Sequence, residues 1–209
     1  MSRLMLRQAV LGPIQTNVYF VKNTETREIF VVDPAANAAR IKQTILEMDG
    51  KPAAILLTHG HFDHIMAAEE LRDYYHIPIY ACRAEADMLR DPVKNMTEYY
   101  RIPASFDADK YLDDNDEFVC AGFRVQVMHT PGHTVGGCCY YLPEEKILFS
   151  GDTLFCGSVG RTDFPGGSMS QIITSLHRLI DNLPEETEVY PGHNSSTTIG
   201  DEKRDNPFV

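Results

Sequence analysis

The stretch "ILLTHGHFDH" sets three histidines and an aspartate (His59, His61, Asp63 and His64) within six positions, straight after an apolar run. Histidine supplies the commonest nitrogen ligand for metals, and aspartate a hard anionic oxygen. His59 and His61 are two residues apart, so on an extended segment they point to one side and can clamp one cation. Asp63 and His64 fall on the turn into the next helix and can face a second. Three further candidates stand where other apolar runs end: His133 in "MHTPGHTVGG", Asp152 in "ILFSGDTLF" and His193 in "VYPGHNSS". A carboxylate has two oxygens and can join two cations, whereas a neutral imidazole offers one lone pair. Asp152 is therefore the candidate bridge, with His133 completing the first site and His193 the second. The remaining histidines, His76, His129 and His177, read as surface or core residues.

Such a constellation needs a frame that brings distant strand ends together. "NVYFVK" and "EIFVVD" are β-branched and aromatic runs divided by a polar turn, and alternation through Leu4, Leu6 and Gln8 suggests a strand before them. Ile41, Ile45 and Met48 recur at helical spacing up to Gly50. "AAILLTH" follows as a strand, "IMAAEELRDYY" as a helix and "IPIYA" as a short strand. Arg83 to Asp116 is polar and interrupted by proline, and reads as short helical pieces in a surface excursion. The second half repeats the grammar: a hairpin turning at Ala121-Gly122, two strands around Pro143 to Lys146, an amphipathic helix with Ile172, Leu176, Leu179 and Leu183 on one side, and the strand "EVYPG". Two halves that each mix strands with helices suggest two sheets packed together with helices outside, an αββα sandwich.

The chain has 209 residues, enough for one domain with a real core, here expected to span 1–209. Its formal charge of -11 argues against nucleic acid or an anionic membrane as partner. No apolar run approaches the length needed to cross a bilayer, and no secretory signal stands at the N-terminus, which suggests a cytoplasmic protein. The five cysteines are scattered without a CxxC pair, which fits reduced thiols. Adjacent Cys138 and Cys139 read as two small residues on opposite faces of a strand.

The motifs "THGHFDH", "PGHT", "GDTLF" and "PGH" resemble, in the same order along nearly the whole chain, those of the metallo-β-lactamase fold superfamily. The resemblance implies one metal at His59, His61 and His133, a second at Asp63, His64 and His193, and Asp152 bridging. Asp63 and Asp152 would then be catalytic. Within the superfamily, "GDTLFCGSVGRTDFPGG" and "STTIGDEKRDNPF" are similar to the hydroxyacylglutathione hydrolases (glyoxalase II) and their short relatives. The longer glyoxalase II enzymes hold glutathione with a C-terminal helical extension for which only "EKRDNPF" stands here, leaving the thiol carrier open.

The activity expected from this resemblance is hydrolysis of a small anionic acyl thioester, such as a 2-hydroxyacyl-glutathione, by a hydroxide bridging two divalent ions. Zinc is the first candidate, with iron or manganese also suited to His and Asp donors. A thiol of pKa about 8.5 leaves as thiolate without an acid, whereas an amide nitrogen needs protonation. Asp152, where the best-known β-lactamases of the fold use cysteine, also counts against lactam chemistry. Arg161, in the loop after Asp152, is the first candidate to pair with a substrate carboxylate, ahead of Lys203 and Arg204. Asp33 in "VVDPA" is expected to support the first histidine pair. The rival activities are a mononuclear iron persulfide dioxygenase, which the "GRTDF" motif also resembles, and a lactone hydrolase.

Overall fold

Strict alternation of side chains along the strands decides the layering. In β2 (Thr16–Asn23) and β3 (Glu28–Val32), Val18, Phe20, Ile29 and Val31 point one way, and Tyr19, Val21, Phe30 and Val32 the other. Both sets are buried, so each strand must be covered on both faces. The computed structural model, which describes residues 3–209, meets that demand with two sheets and two helical layers.

The first sheet runs β1 (Leu4–Leu11), β2, β3, β4 (Lys51–Leu56), β5 (Ile79–Cys82) and β6 (Lys110–Leu112), antiparallel up to β3 and parallel beyond. The second has the order β14 (Thr197–Thr198), β13 (Glu188–Pro191), β10 (Ile147–Gly151), β9 (Cys138–Leu142), β8 (Phe123–His129) and β7 (Glu117–Cys120). Only β10 and β13 pair in parallel there. A small hairpin of β11 (Leu154–Phe155) and β12 (Ser158–Val159) follows β10.

Three apolar layers result. One lies between the first sheet and helices α1 (Ala38–Glu47) and α3 (Ala68–Tyr75), and one lies between the sheets, where Phe149 meets the rings of Tyr19, Phe30 and Tyr190. The third lies beneath α5 (Met169–Asn182), which Ser168 caps and whose Ile172, Leu176 and Leu179 are fully buried. This is the expected αββα sandwich. Cys138 falls in the middle layer and Cys139 beneath α5, on opposite faces as expected.

Three elements differ from the sequence-based expectation. The helix sought over "IMAAEELRDYY" is split: a single turn, α2 (Phe62–Ile65), begins straight after His61, and α3 starts at Ala68. The segment after Arg83 has the expected short helical pieces, a 3-10 turn (Arg83–Glu85) and α4 (Ala86–Arg90), but also the edge strand β6, which is too short for periodicity to reveal and exists through pairing with β5. The C-terminal stretch folds as α6 (Ile199–Asp205), capped by Thr198, with Asp201 and Glu202 in its first turn and Lys203 and Arg204 in its last. That charge order suits the helix dipole. Among the described residues no helix is long and apolar enough to cross a membrane.

Phe149→Ala should cost about 3–5 kcal/mol in denaturant unfolding, because it empties a site between two sheets that cannot close independently. Leu46→Ala, at a side chain 72% exposed on α1, should stay within about 0.5 kcal/mol of the parent.

Candidate metal centre

Strand direction brings the candidates to one edge of the sandwich. β3, β4 and β5 are mutually parallel, as are β10 and β13, and β8 runs with β10 because both are antiparallel to β9. His59 and His61 follow β4, His133 follows β8, Asp152 follows β10 and His193 follows β13. Each therefore lies beyond a carboxyl end, where open α/β sheets place their ligands. His61 keeps an extended backbone at the N-cap of α2, so Asp63 and His64 project from the first turn.

Seven side chains meet there in three overlapping groups: His59, His61 and His133; His59, His64 and Asp152; and Asp63, His64 and His193. Within each group the ligand atoms lie within 4.8 Å of one another, so each could hold a metal ion. His61 Nδ1 is 2.9 Å from His133 Nε2, and His193 Nε2 is 3.2 Å from Asp63 Oδ2. Asp152 sits between the groups: Oδ1 is 3.4 Å from His64 Nε2, while Oδ2 is 3.5 Å from His133 Nε2 and 3.6 Å from His193 Nε2. A Cβ at Gly192 would fall 2.3 Å from Asp152 Oδ1 and 2.7 Å from His64 Cε1, so only glycine fits before His193.

The outward nitrogens are fixed by partners that can only accept. His64 Nδ1 donates to Asp33 Oδ2 at 2.9 Å, and His133 Nδ1 donates to the Arg161 carbonyl at 2.7 Å. His59 Nδ1 is 3.2 Å from Thr58 Oγ1, whose hydroxyl donates to Asp33 Oδ2 at 2.6 Å. Asp33 thus holds His64 directly and His59 through Thr58; the support expected for the first histidine pair reaches His59 and extends to His64. These bonds place protons on the outer nitrogens and turn Nε2 of each of the three rings inward. His59 Nε2, His64 Nε2 and Asp152 Oδ1 are buried with no hydrogen-bond partner. Buried polar atoms are rarely left so. An inward set of imidazole nitrogens and carboxylate oxygens fits a borderline or hard divalent cation.

The charges inside the cluster act on one another. Burial holds His59 well below the ordinary imidazole range, with the neighbouring histidines adding to the effect, and pulls His61 down to about 3. Burial also works against a charged His64, but Asp63, Asp152 and Asp33 outweigh it and raise this residue well above the ordinary value. His193 is raised in the same way: burial is outweighed by its hydrogen bond to Asp63 and the charge of Asp152. Burial opposes ionisation of Asp63 and Asp152, yet His64 and its neighbours hold both below the usual carboxylate range.

The cluster forms one wall of a cavity of about 400 Å³. Ile14, Met96, Tyr100, Phe155 and Phe164 supply apolar surface, and Tyr100 stacks on Phe62 with ring centroids 3.8 Å apart. Arg161 lines the cavity, with its guanidinium over Phe164 and paired to both oxygens of Asp163 at 2.7 and 2.6 Å. Lys203 and Arg204 do not line it: on α6, Lys203 pairs with Glu185 and Arg204 with Asp201. The sequence reading also missed Thr16, whose hydroxyl donates to Asp63 Oδ2 at 2.8 Å, and Tyr19, whose hydroxyl donates to the Pro191 carbonyl just before Gly192-His193. Neither stands in a motif. Only sheet pairing brings them to the site.

Two outcomes follow from this geometry. Because His64 and His193 carry raised pKa values in the metal-free protein, cations must displace their protons. Adding zinc to metal-free protein in weak buffer should release protons, and uptake should weaken as the pH falls. Asp33→Ala should weaken metal binding by about 10–100-fold, read by competition with a chelator, since two inward histidines lose their anchor.

A family model described as the metallo-beta-lactamase superfamily matches residues 11–193. The chain is 38% identical to the probable metallo-hydrolase YqgX of Bacillus subtilis (strain 168), over 97% of this chain and 96% of that one. It is 35% identical to the hydroxyacylglutathione hydrolase GloC of Haemophilus influenzae, over 86% of each. Among solved structures, the BLEG-1 B3 metallo-beta-lactamase superposes with a TM-score of 0.91 at 40% identity, covering 98% of this chain and 99% of that one. TTHA1623 in a di-iron-bound form gives 0.85 at 34% identity, covering 97% and 100%. ETHE1 from Myxococcus xanthus gives 0.82 at 31% identity, covering 97% and 83%. With the strand-end cluster lying inside the matched span and relatives alike over nearly their full length, the chain belongs to the metallo-β-lactamase superfamily of metallo-hydrolases.

Proposed function

We propose that the protein is a binuclear metallohydrolase that cleaves a small anionic acyl thioester, with a 2-hydroxyacyl-glutathione as the leading candidate. The observation that carries this reading is the placement of Asp152, whose two oxygens face different histidines between the two ligand groups. His59, His61 and His133 would hold one cation, Asp63, His64 and His193 the other, and Asp152 both. Bound divalent ions supply Lewis acidity and bring the pKa of water toward neutrality. Zinc suits these donors, and the likeness to a di-iron-bound structure makes iron the other metal to measure.

The protein's own groups then bind and orient. The apolar cavity wall can pack against the substrate, and Arg161 can exchange Asp163 for a substrate carboxylate. Apart from His61, Asp63, His133, Asp152 and His193 of the cluster, no carboxyl or imidazole group stands among the described residues lining the cavity. That favours a leaving group able to depart unprotonated, as a thiolate does. The name of the GloC relative agrees with thioester cleavage. The likeness to BLEG-1, at 40% identity, favours lactam hydrolysis as a second reading despite aspartate at the bridging position.

Metal content of protein purified without added metal, followed by assays on the same sample, tests the proposal. About two metals per chain with hydrolysis of S-lactoylglutathione is the expected result. Asp152→Ala should then lower kcat/KM by about 10³-fold or more, and Arg161→Ala should chiefly raise KM, by about tenfold. Cleavage of a penicillin without thioester cleavage would transfer the assignment to lactams. One iron per chain with oxygen uptake on glutathione persulfide would replace hydrolysis by the dioxygenase activity.

A further inference from the structure

The two loops that would hold the first cation belong to different sheets. His59 and His61 leave β4 of the first sheet, and His133 lies in the loop from β8 to β9 of the second. One backbone bond joins the strand ends, from Cys138 N to the Thr58 carbonyl at 2.9 Å. Beyond it, apart from the His61 and His133 rings themselves, the two loops are joined by the side chain of Glu85, which comes from a third element, the 3-10 turn after β5.

Glu85 is 1% exposed. Its Oε1 accepts from the backbone N–H of Gly60 at 2.8 Å, between His59 and His61. Its Oε2 accepts from the backbone N–H of Gly136 at 2.8 Å and from the Thr134 hydroxyl at 3.2 Å, just after His133. A Cβ at Gly136 would fall 2.3 Å from Glu85 N and 2.4 Å from Oε2, so the loop can reach the carboxylate only as glycine. Among the described residues no cation pairs with Glu85. A buried carboxylate spent entirely on two backbone amides and one hydroxyl fixes the distance between the chains that bear them.

We propose that Glu85 is the positioning residue of the first metal site, clamping the His59–His61 loop to the His133 loop so that their three imidazoles converge. It touches no ligand atom and acts through the backbone beside each ligand. The inference rests on the reading that the cluster holds two cations, and it adds that the two sites respond differently to one residue.

The test is stepwise zinc affinity, measured by chelator competition on metal-free protein, with circular dichroism as the check of folding. His133→Ala and His193→Ala mark which binding step belongs to which site. Glu85→Gln keeps shape and volume but has one acceptor oxygen, so its amide NH2 must face a backbone N–H. This variant should fold and weaken the step that His133→Ala removes by about 10–100-fold, leaving the other within about threefold. Two unchanged constants, or a loss confined to the step that His193→Ala removes, would overturn the proposal. Should Glu85→Gln not fold, Thr134→Val removes one donor at nearly constant shape; a weakened first-site step supports the clamp and an unchanged one overturns it. Parent protein that takes up no zinc would sink the metal reading itself, an outcome distinct from an indifferent Glu85.

Discussion

Imidazole nitrogens and carboxylate oxygens that converge in a buried space lose their hydration and turn lone pairs toward one another. The arrangement is costly unless a proton or a cation lies among them. This constraint organises the rest of the molecule. Without a cation, the carboxylates of Asp33, Asp63 and Asp152 draw a proton onto fully buried His64, while His59 and His61 are driven neutral by burial. Neighbouring histidines therefore differ in charge because their carboxylate surroundings differ.

Holding such a cluster together requires anchors on its outer side. Asp33 accepts from Thr58 twice and from His64, so one carboxylate orients two ligands. The Arg161 carbonyl fixes His133 and the Thr16 hydroxyl fixes Asp63. Tyr19 and Asn17, from β2 of the first sheet, donate to the Pro191 carbonyl and hold the end of β13, in the second sheet, against it. The packing between the sheets and the geometry of the site are thus continuous. A shift of one sheet over the other would move His193 away from Asp63, which ties function to the packing around Phe149 and Tyr19.

Much of the frame was legible in the sequence because strand alternation and helix periodicity are local. The turn at Ala121-Gly122, with positive φ at both residues, and the opposite burial of Cys138 and Cys139 follow from chain geometry alone. β6 and β14 were not legible, because strands of three and two residues are defined by their partners. The place of Lys203 and Arg204 was hidden for a related reason: the end of a short capped helix is visible only once that helix is seen to form.

The sequence by itself determined the kinds of side chain at the strand ends, and hence a two-sided His/Asp cluster with one aspartate able to serve both sides. Those properties depend on residue type and on spacing within a few positions. Only the tertiary structure decided which nitrogen of each histidine faces inward, that Asp33 serves His64 as well as His59, and that Glu85 joins two loops separated by 72 residues between His61 and His133. Hydrogen-bond partners are chosen by proximity in space, and here proximity is set by the packing of two sheets that share no strand.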